Sequence, residues 1–437
     1  MKTILRTLYI SLFVVLSATL YAEKYITTIQ PETPEKFKRF GEYFYDMKNI
    51  NTHPIPNVLE RPDGKGKVKT AQEWVQQVRP LVLKYFEDEI YGAIPPRPDT
   101  IKFELFESSK NALGGIAERR QYRITVGAKY GERSFHVLLY LPLNANNTPA
   151  FICPNFNGNY TITAEPEVKK IIAYRSRMKT HQRGSFASRI PVAEIVSRGY
   201  AIATFSYEEI YNDGKSQEIA KKSVYGIFEE NPTPKNAIAM WAWGNMRVMD
   251  LLQSLPEIDH RKIGVAGHSR MGKTALLTGA FDTRFAYVIV NNSGCMGDAL
   301  SKRKYGETIK SMFGINQVGY WFSPALKKYI DNEGAMPLDQ HHLIATIAPR
   351  MLYTTSATED VWADPEGQLL GLIHACPIYK LFGAKNFPTL DALEIEKPIH
   401  ADVAYHIRKG KHDMTSYDWN NFIDYAEKCG WKPQTKQ

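Results

Sequence analysis

The feature of this sequence that most constrains its fold is a buried strand that runs directly into a serine-bearing turn and then a helix. Residues 264–273 read GVAGHSRMGK, with Ser269 in a Gly-x-Ser element. Such a turn lifts a hydroxyl out of the carboxyl edge of a sheet, and the helix N-terminus behind it stabilises negative charge. The usual form is Gly-x-Ser-x-Gly, whereas here position 271 is Met and the glycine follows at Gly272. Its place between a strand and a helix makes Ser269 the candidate nucleophile.

Strands and helices are predicted to alternate on both sides of this turn. Apolar runs typical of buried strands lie at 150–153, 200–205, 263–267, 286–290, 351–355 and 404–408, and helical patterns lie at 190–198, 237–255 and 273–281. Alternating runs at 123–126 and 136–141 indicate antiparallel strands. We therefore predict an α/β fold, a three-layer αβα sandwich with a mostly parallel central sheet. Residues 23–95 are polar and contain several prolines, a pattern that predicts an N-terminal extension. One amphipathic run lies within it, at 70–90.

The first 22 residues are built like a secretory leader. Two basic residues precede an apolar stretch at 8–16, and small residues end at Ala22. Because the apolar stretch is too short to span a bilayer well, we expect a cleaved signal peptide over 1–22 rather than a retained anchor. The remaining chain, 23–437, is then expected to be one domain that is exported to the periplasm or the medium, without stable insertion in a membrane.

Composition excludes several classes of protein. With 437 residues, 29 Gly, 25 Pro, 43% hydrophobic and 23% charged residues, the chain is not a collagen-like repeat, a low-complexity tail or a polytopic membrane protein. The formal charge is +9, but the basic residues are scattered, which is compatible with an acidic polymer and gives no specific support for nucleic acid binding. The four cysteines are widely spaced without a metal-site pattern. We expect buried free thiols, no metal or other cofactor, and a monomer.

A base for the serine is expected downstream of it in the chain. His412 follows the strand pattern at 404–408 and precedes a helix that begins near Thr415, so it is predicted on a loop at the carboxyl edge of the sheet. His406 lies within the strand pattern itself and is interpreted as structural. The pair at 341–342 begins a helix-like run and is interpreted as core or as support for the site. His412 is therefore the predicted base.

The acid could follow either of two strands. Residues 290–294, after the strand that follows the serine helix, contain no carboxylate. Residues 356–362, after the strand at 351–355, contain Glu359 and Asp360. We predict Asp360, because a short carboxylate on that loop can reach the histidine ring, with Glu359 as the alternative. If the loop only caps a helix, neither carboxylate has this role.

Eight segments of the chain together resemble the bacterial branch of the glucuronoyl esterases, carbohydrate esterase family 15. The resemblance extends over about 75–430, and its Ser-Arg-x-Gly-Lys element is far more specific than a generic esterase turn. The segments are 155–159, 241–244, 267–273, 292–295, 301–307, 338–350, 359–365 and 410–413.

The resemblance implies an α/β-hydrolase fold and a reaction. The family cleaves esters between 4-O-methyl-glucuronic acid on xylan and lignin alcohols through an acyl-enzyme. The resemblance also implies that Ser269 is the nucleophile and His412 the base, and that Arg270 helps to hold the oxyanion. Lys273 and Trp362 match family positions that contact the glucuronate, and Glu307 matches an acidic position near the pocket.

Two departures from the family pattern leave alternatives open. Many members carry Glu at the position of Asn292, and the Gln of the fungal sugar site has no clear match. One alternative is another secreted esterase, such as one that acts on acetylated xylan or aryl esters. The other is a glycan-binding protein on a hydrolase scaffold with an impaired triad, for which Asn292 is the main support.

Overall fold

The computed structural model describes residues 50, 53–171 and 181–433. The predicted leader over 1–22 and the first part of the predicted extension lie outside these residues. No helix in the described ranges is long and apolar enough to cross a membrane.

The described residues form a ten-stranded sheet in the order β1-β2-β3-β5-β4-β6-β7-β8-β10-β9. The strands are β1 Thr100–Ala112, β2 Ala117–Ala128, β3 Gly131–Pro142, β4 Thr148–Ile152, β5 Ala201–Phe205, β6 Ile258–His268, β7 Tyr287–Asn291, β8 Met351–Ala357, β9 Ile399–His400 and β10 Ala404–Arg408. Along this order, each strand from β5 through β4, β6, β7 and β8 to β10 is parallel to its neighbour. The first three strands form an antiparallel meander that joins this parallel part through β5.

The helices lie mainly in the connections between the parallel strands. They are α1 at 71–91, α2 Val192–Ser197, α3 Tyr207–Ile210, α4 Gln217–Lys222, α5 Ala237–Leu252, α6 Arg270–Phe281, α7 Ile309–Phe313, α8 Gln340–Ala345, α9 Pro365–Leu381 and α10 Ser416–Lys428. Short 3-10 turns lie at Asn159–Thr161, Ala187–Arg189, Val224–Ile227, Ser301–Arg303, Gly319–Trp321, Pro324–Tyr329, Glu333–Ala335 and Val361–Ala363.

Both faces of the sheet are covered, which confirms the predicted αβα layering. On one face, Phe151 of β4 packs against Trp419 of α10, with ring centroids 5.7 Å apart. On the other face, α6 lies directly on β7, since a Cβ added at Gly279 would stand 2.3 Å from Val288. Trp241 and Trp243 of α5 are fully buried and belong to the core.

The helix α1 joins the described part of the predicted extension to the rest of the fold. Pro80, which interrupts the amphipathic run, does not end the helix. It stands where a π-helical turn gives way to an α-helical one, at a position that tolerates a missing N–H. The guanidinium of Arg79 donates to the carbonyls of Ala280 at 2.5 Å and Thr346 at 3.0 Å.

Among the elements that differ from the sequence-based prediction are α6 and α9. The helix after Ser269 begins at Arg270 instead of 273, because the chain turns within a single residue. The helix α9 was not predicted. It is buried along most of its length and contains Gly367, Gly371 and Pro377, so it has neither a clear polar face nor an uninterrupted run of good helix formers.

Candidate active site

Ser269 occupies a strained turn between β6 and α6. Its backbone has φ 59° and ψ −127°, a conformation that non-glycine residues rarely adopt. Its N–H donates to the carbonyl of Asn291 at 2.9 Å, at the end of the neighbouring strand. The parallel pairing of β6 with β7 thus holds the backbone of this serine at the carboxyl edge of the sheet.

Two glycines make this turn possible. A Cβ added at Gly267 would stand 1.9 Å from the carbonyl oxygen of Met271, so only glycine fits before the serine. At Gly272 a Cβ would stand 2.9 Å from Ser293 Cβ, where the helix crosses the loop after β7. The displaced glycine of the motif therefore marks the point of closest approach, while Met271 is buried in the core.

His412 and Asp360 form a hydrogen-bonded pair beside the serine. The Nδ1 atom of His412 lies 2.7 Å from Oδ2 of Asp360, and the Asp360 side chain is fully buried. Engagement of Nδ1 leaves Nε2 as the ring nitrogen that can take a proton. The side chain of Glu359, the alternative acid, is exposed.

Two adjacent loops hold this pair. Because β8 and β10 are parallel neighbours, the loops that follow them run side by side. The N–H of Thr358 donates to Arg408 O, and that of Glu359 donates to Gly410 O, each at 2.9 Å. The Arg408 guanidinium also donates to the carbonyls of Lys411 at 2.7 Å and Asp413 at 2.6 Å, which flank His412.

Asn292 supports the acid. Its Nδ2 donates to Oδ2 of Asp360 at 2.7 Å, the same oxygen that faces His412. The residue that departs from the family pattern therefore contacts the carboxylate on the neighbouring loop. Nothing in the sequence indicates that this amide contacts the Asp360 carboxylate, since the two residues lie on different loops.

The His412 ring is surrounded by other rings. Its centroid lies 4.6 Å from that of half-buried Trp362 and 4.4 Å from that of His268. The Nδ1 atom of His268 is 2.6 Å from Oδ1 of Asn291, which fixes that second ring. Sequence analysis gave His268 no role, although it stands within the serine motif.

Burial makes both imidazoles neutral. Burial lowers the pKa of His412 to about 3, and the cations Lys273, Arg189 and Arg270 add to the effect. Burial also holds the pKa of His268 well below its ordinary value. For Asp360, burial raises the pKa above the ordinary value, and the hydrogen bond from Asn292 opposes this shift. His412 is therefore in the form that can accept a proton.

A cavity of about 330 Å³ opens beside these residues. The structure brings Ser269, Arg270 and His412 together in its wall. The other lining residues are Phe156, Asn157, His181, Phe186, Arg189, Tyr207 and His268.

A buried carboxylate that the sequence analysis missed holds the Arg270 side chain. Asp213 Oδ2 accepts from the Arg270 guanidinium and from Tyr207 Oη at 2.8 Å. Its other oxygen accepts from Tyr320 Oη at 2.6 Å and from Trp321 Nε1 at 2.8 Å. The guanidinium also stacks over the Trp321 ring, 4.7 Å from its centroid. Burial opposes the charge of Arg270, but Asp213 holds its pKa above the ordinary value.

Lys273 and Glu307 lie close to each other and do not line this cavity. Their Nζ and Oε2 atoms are 4.0 Å apart, and both side chains are buried. Lys273 also donates to the carbonyl of Ser293, and Glu307 Oε1 accepts from Asn316 at 2.8 Å. Oε2 of Glu307 has no hydrogen-bond partner in the described part of the chain. Burial raises the pKa of Glu307 to about 7 and lowers that of Lys273.

The described residues contain no cluster of side chains suited to a metal ion. All four cysteines are free thiols, of which Cys153, Cys295 and Cys376 are buried and Cys429 is exposed. The sequence-based expectation of buried thiols therefore holds for three of the four.

Comparison with known proteins gives consistent matches. Residues 185–383 match the family described as glucuronyl esterase, fungi. The chain is 34% identical over 425 residues to a carbohydrate esterase from an unknown prokaryotic organism, across 92% of this chain and 95% of that protein. It is 28% identical over 349 residues to a 4-O-methyl-glucuronoyl methylesterase of Phanerochaete carnosa, across 77% of this chain and 74% of the relative.

A solved structure has the same fold. The glucuronoyl esterase from Solibacter usitatus superposes with a TM-score of 0.77 at 35% sequence identity. The match covers 87% of this chain and 99% of that structure.

Proposed function

Because this chain belongs to the glucuronoyl esterases, carbohydrate esterase family 15, we propose that it hydrolyses the ester between 4-O-methyl-glucuronic acid on xylan and a lignin alcohol. The proposal rests above all on the 2.7 Å hydrogen bond between His412 and Asp360 beside a cavity that Ser269 also lines. A neutral, oriented imidazole next to a strained serine is suited to acyl transfer without a metal.

In the proposed mechanism, His412 Nε2 takes the proton of Ser269 as Oγ attacks the uronoyl carbonyl carbon. Asp360 holds the ring at Nδ1 and stabilises the imidazolium that forms. The tetrahedral intermediate collapses when the imidazolium returns the proton to the leaving alcohol, and an acyl-enzyme remains. Water, activated by His412, then releases the uronic acid and restores the serine.

Arg270 is proposed to stabilise the oxyanion in two ways. It is the first residue of α6, so its N–H is one of the helix donors without an intrahelical acceptor. Its guanidinium is a fixed cation in the cavity wall, held by Asp213. Charge preorganised in a partly dry site stabilises a developing oxyanion more than the same charge in water.

For sugar recognition, we propose Trp362, Lys273 and Glu307. Trp362 packs on the ring of His412 and offers an apolar face to a pyranose. The main chain joins Glu307 to it, since the N–H of Glu307 donates to Trp362 O at 2.8 Å, and Lys273 Nζ lies 4.0 Å from Glu307 Oε2. That carboxylate oxygen accepts no hydrogen bond within the described residues, so it is the oxygen proposed to accept from a sugar hydroxyl.

The experiment that tests the proposed function compares two classes of ester. Purified protein is assayed on benzyl glucuronate and on an acetyl ester of a comparable alcohol. We expect a kcat/KM for the glucuronate ester that exceeds the acetyl value by at least about 10²-fold, since the uronate contacts would act in the transition state. Activity confined to the acetyl ester would make the chain a different carbohydrate or aryl esterase.

A matched pair of variants tests the acid. Asp360→Asn should reduce kcat by about 10³-fold or more, because the amide no longer stabilises the imidazolium. Glu359→Gln, one residue away on the same loop, should retain the wild-type rate because that side chain is exposed. The reverse pattern would move the role of acid to Glu359.

We also propose that residues 1–22 direct export to the periplasm or the medium and are removed there. The N-terminal sequence of the protein recovered outside the cytoplasm should then begin near residue 23. Recovery of intact Met1 from a membrane fraction would instead indicate a retained anchor.

A further inference from the structure

A second cavity, of about 480 Å³, is lined in part by Tyr320, whose hydroxyl donates to Asp213. Its wall contains three lysines, Lys215, Lys235 and Lys327, and no carboxylate. The wall shares no residue with the cavity that Ser269 lines.

The lysines give this cavity an excess of positive charge. Lys215 donates to the neutral amide of Gln317 at 3.1 Å, and Lys327 is exposed. Lys235 lies 3.3 Å from Glu229, which compensates one of the three charges. A concave site with charge of one sign concentrates ligands of the opposite sign. The charge therefore favours an anionic ligand.

The rest of the wall is largely apolar. That part of the wall includes Phe313, Tyr320 and Ile330, together with Phe322, which is fully buried. The Phe313 ring lies so close to Gly319 that a Cβ there would stand 2.4 Å from it, so the main chain itself supports the ring. Aromatic surface beside ammonium groups suits a carboxylate carried on a ring with an apolar face.

Tyr320 connects this cavity to the candidate active site. It forms part of the cavity wall, and its hydroxyl donates to Asp213 at 2.6 Å. The same carboxylate holds Arg270 in the wall of the first cavity. The two cavities therefore adjoin a single network of side chains.

We propose that the second cavity binds an unesterified uronic acid residue of the same glycan chain whose ester is cleaved at Ser269. This inference rests on the proposed function, because only a substrate with several uronates presents a second carboxylate. The lysines bind the carboxylate, and the aromatic wall packs on the pyranose. The site raises affinity for acidic polymers and contributes nothing to cleavage of a single-sugar ester.

The test uses the double variant Lys215→Gln/Lys327→Gln. The control is Lys102→Gln/Lys110→Gln, which removes the same charge from exposed positions on the edge strand β1. Esterified glucuronoxylan fragments and benzyl glucuronate serve as substrates. We expect KM for the fragments to be roughly fivefold higher in the cavity variant than in wild type, with kcat unchanged. A fivefold change corresponds to about the free energy that one exposed ion pair contributes. Its KM for benzyl glucuronate should equal that of wild type, and the control should change neither value.

Calorimetric binding separates the possible ligands. An acidic xylo-oligosaccharide with one free glucuronate, its neutral counterpart and cinnamate are titrated into each protein. Loss of affinity for the acidic oligosaccharide in the cavity variant alone supports the site. Equal affinity in variant and wild type, or a lysine-dependent preference for cinnamate, overturns it. If the lysine-dependent binding occurs but wild type cleaves no glucuronate ester, the binding site stands and the proposed esterase function fails.

Discussion

Asp213 is the residue on which the position of the Arg270 guanidinium depends. It is buried and accepts hydrogen bonds from Arg270, Tyr207, Tyr320 and Trp321. Nothing in the sequence points to it, because Asn-Asp-Gly is typical of a surface turn and its partner is 57 residues away. Ser269 and His412 can be predicted as candidates because chain order and the strand–turn–helix pattern constrain them.

The variant Asp213→Asn should lower kcat for benzyl glucuronate by about 10- to 100-fold with little change in KM, because the guanidinium loses its anchor. Kinetics in the Arg270→Ala background distinguish positioning from a general structural role. There Asp213→Asn should cause little further loss, since the two residues act through one interaction. Additive losses would show that Asp213 acts independently of Arg270.

Glu307 gives a pH-dependent prediction. Its pKa is raised from 4.5 to about 7 by burial, so its contribution to stability is fully present below pH 4.5 and is lost as pH rises through 7. The neutral variant Glu307→Gln should therefore gain stability relative to wild type on going from pH 5 to pH 8, on the order of 3 kcal/mol. Denaturant unfolding at the two pH values measures the gain. If the unfolding free energy of Glu307→Gln relative to wild type stays constant or decreases as the pH rises, the pKa of Glu307 is not raised.

At the scale of elements, the serine turn combines a strand end, a strained residue and a helix start. The position of this turn can be predicted from the sequence, because the residues of β6 and α6 on either side of it follow ordinary strand and helix patterns. The sequence does not explain why the glycine of the motif is residue 272. Glycine is needed there because Ser293, on the loop after β7, lies against it. The helix α9 cannot be predicted from its sequence for a related reason. Packing against its neighbours, and not its own hydrophobic periodicity, makes this segment helical.

Gly267 tests the tightness of this turn. The variant Gly267→Ala would place a methyl group 1.9 Å from Met271 O, so we expect a loss of at least about 3 kcal/mol in stability and a marked loss of activity. The control is Gly214→Ala, whose added methyl meets its nearest atom at an ordinary 3.4 Å. Thermal melting and initial rates compare the two. A Gly267→Ala protein as stable and active as the control would show that the turn can relax.

At the scale of the whole molecule, no disulfide links distant parts of the fold, because all four cysteines of the chain are free thiols. A thiol reagent should modify one cysteine rapidly in the native protein, exposed Cys429, and all four after denaturation. Reductant should leave the melting temperature unchanged. Fewer than four reactive thiols in the denatured protein would indicate a disulfide and contradict this account.

We propose that Ser269, His412 and Asp360 together cleave a glucuronate ester. The initial rate of benzyl glucuronate hydrolysis by wild type and by Ser269→Ala tests this, with melting temperatures measured on the same samples. We predict steady release of benzyl alcohol by wild type, and a rate lower by about 10⁴-fold or more for the variant at an unchanged melting temperature. A folded Ser269→Ala protein that keeps the wild-type rate would show that Ser269 is not the nucleophile.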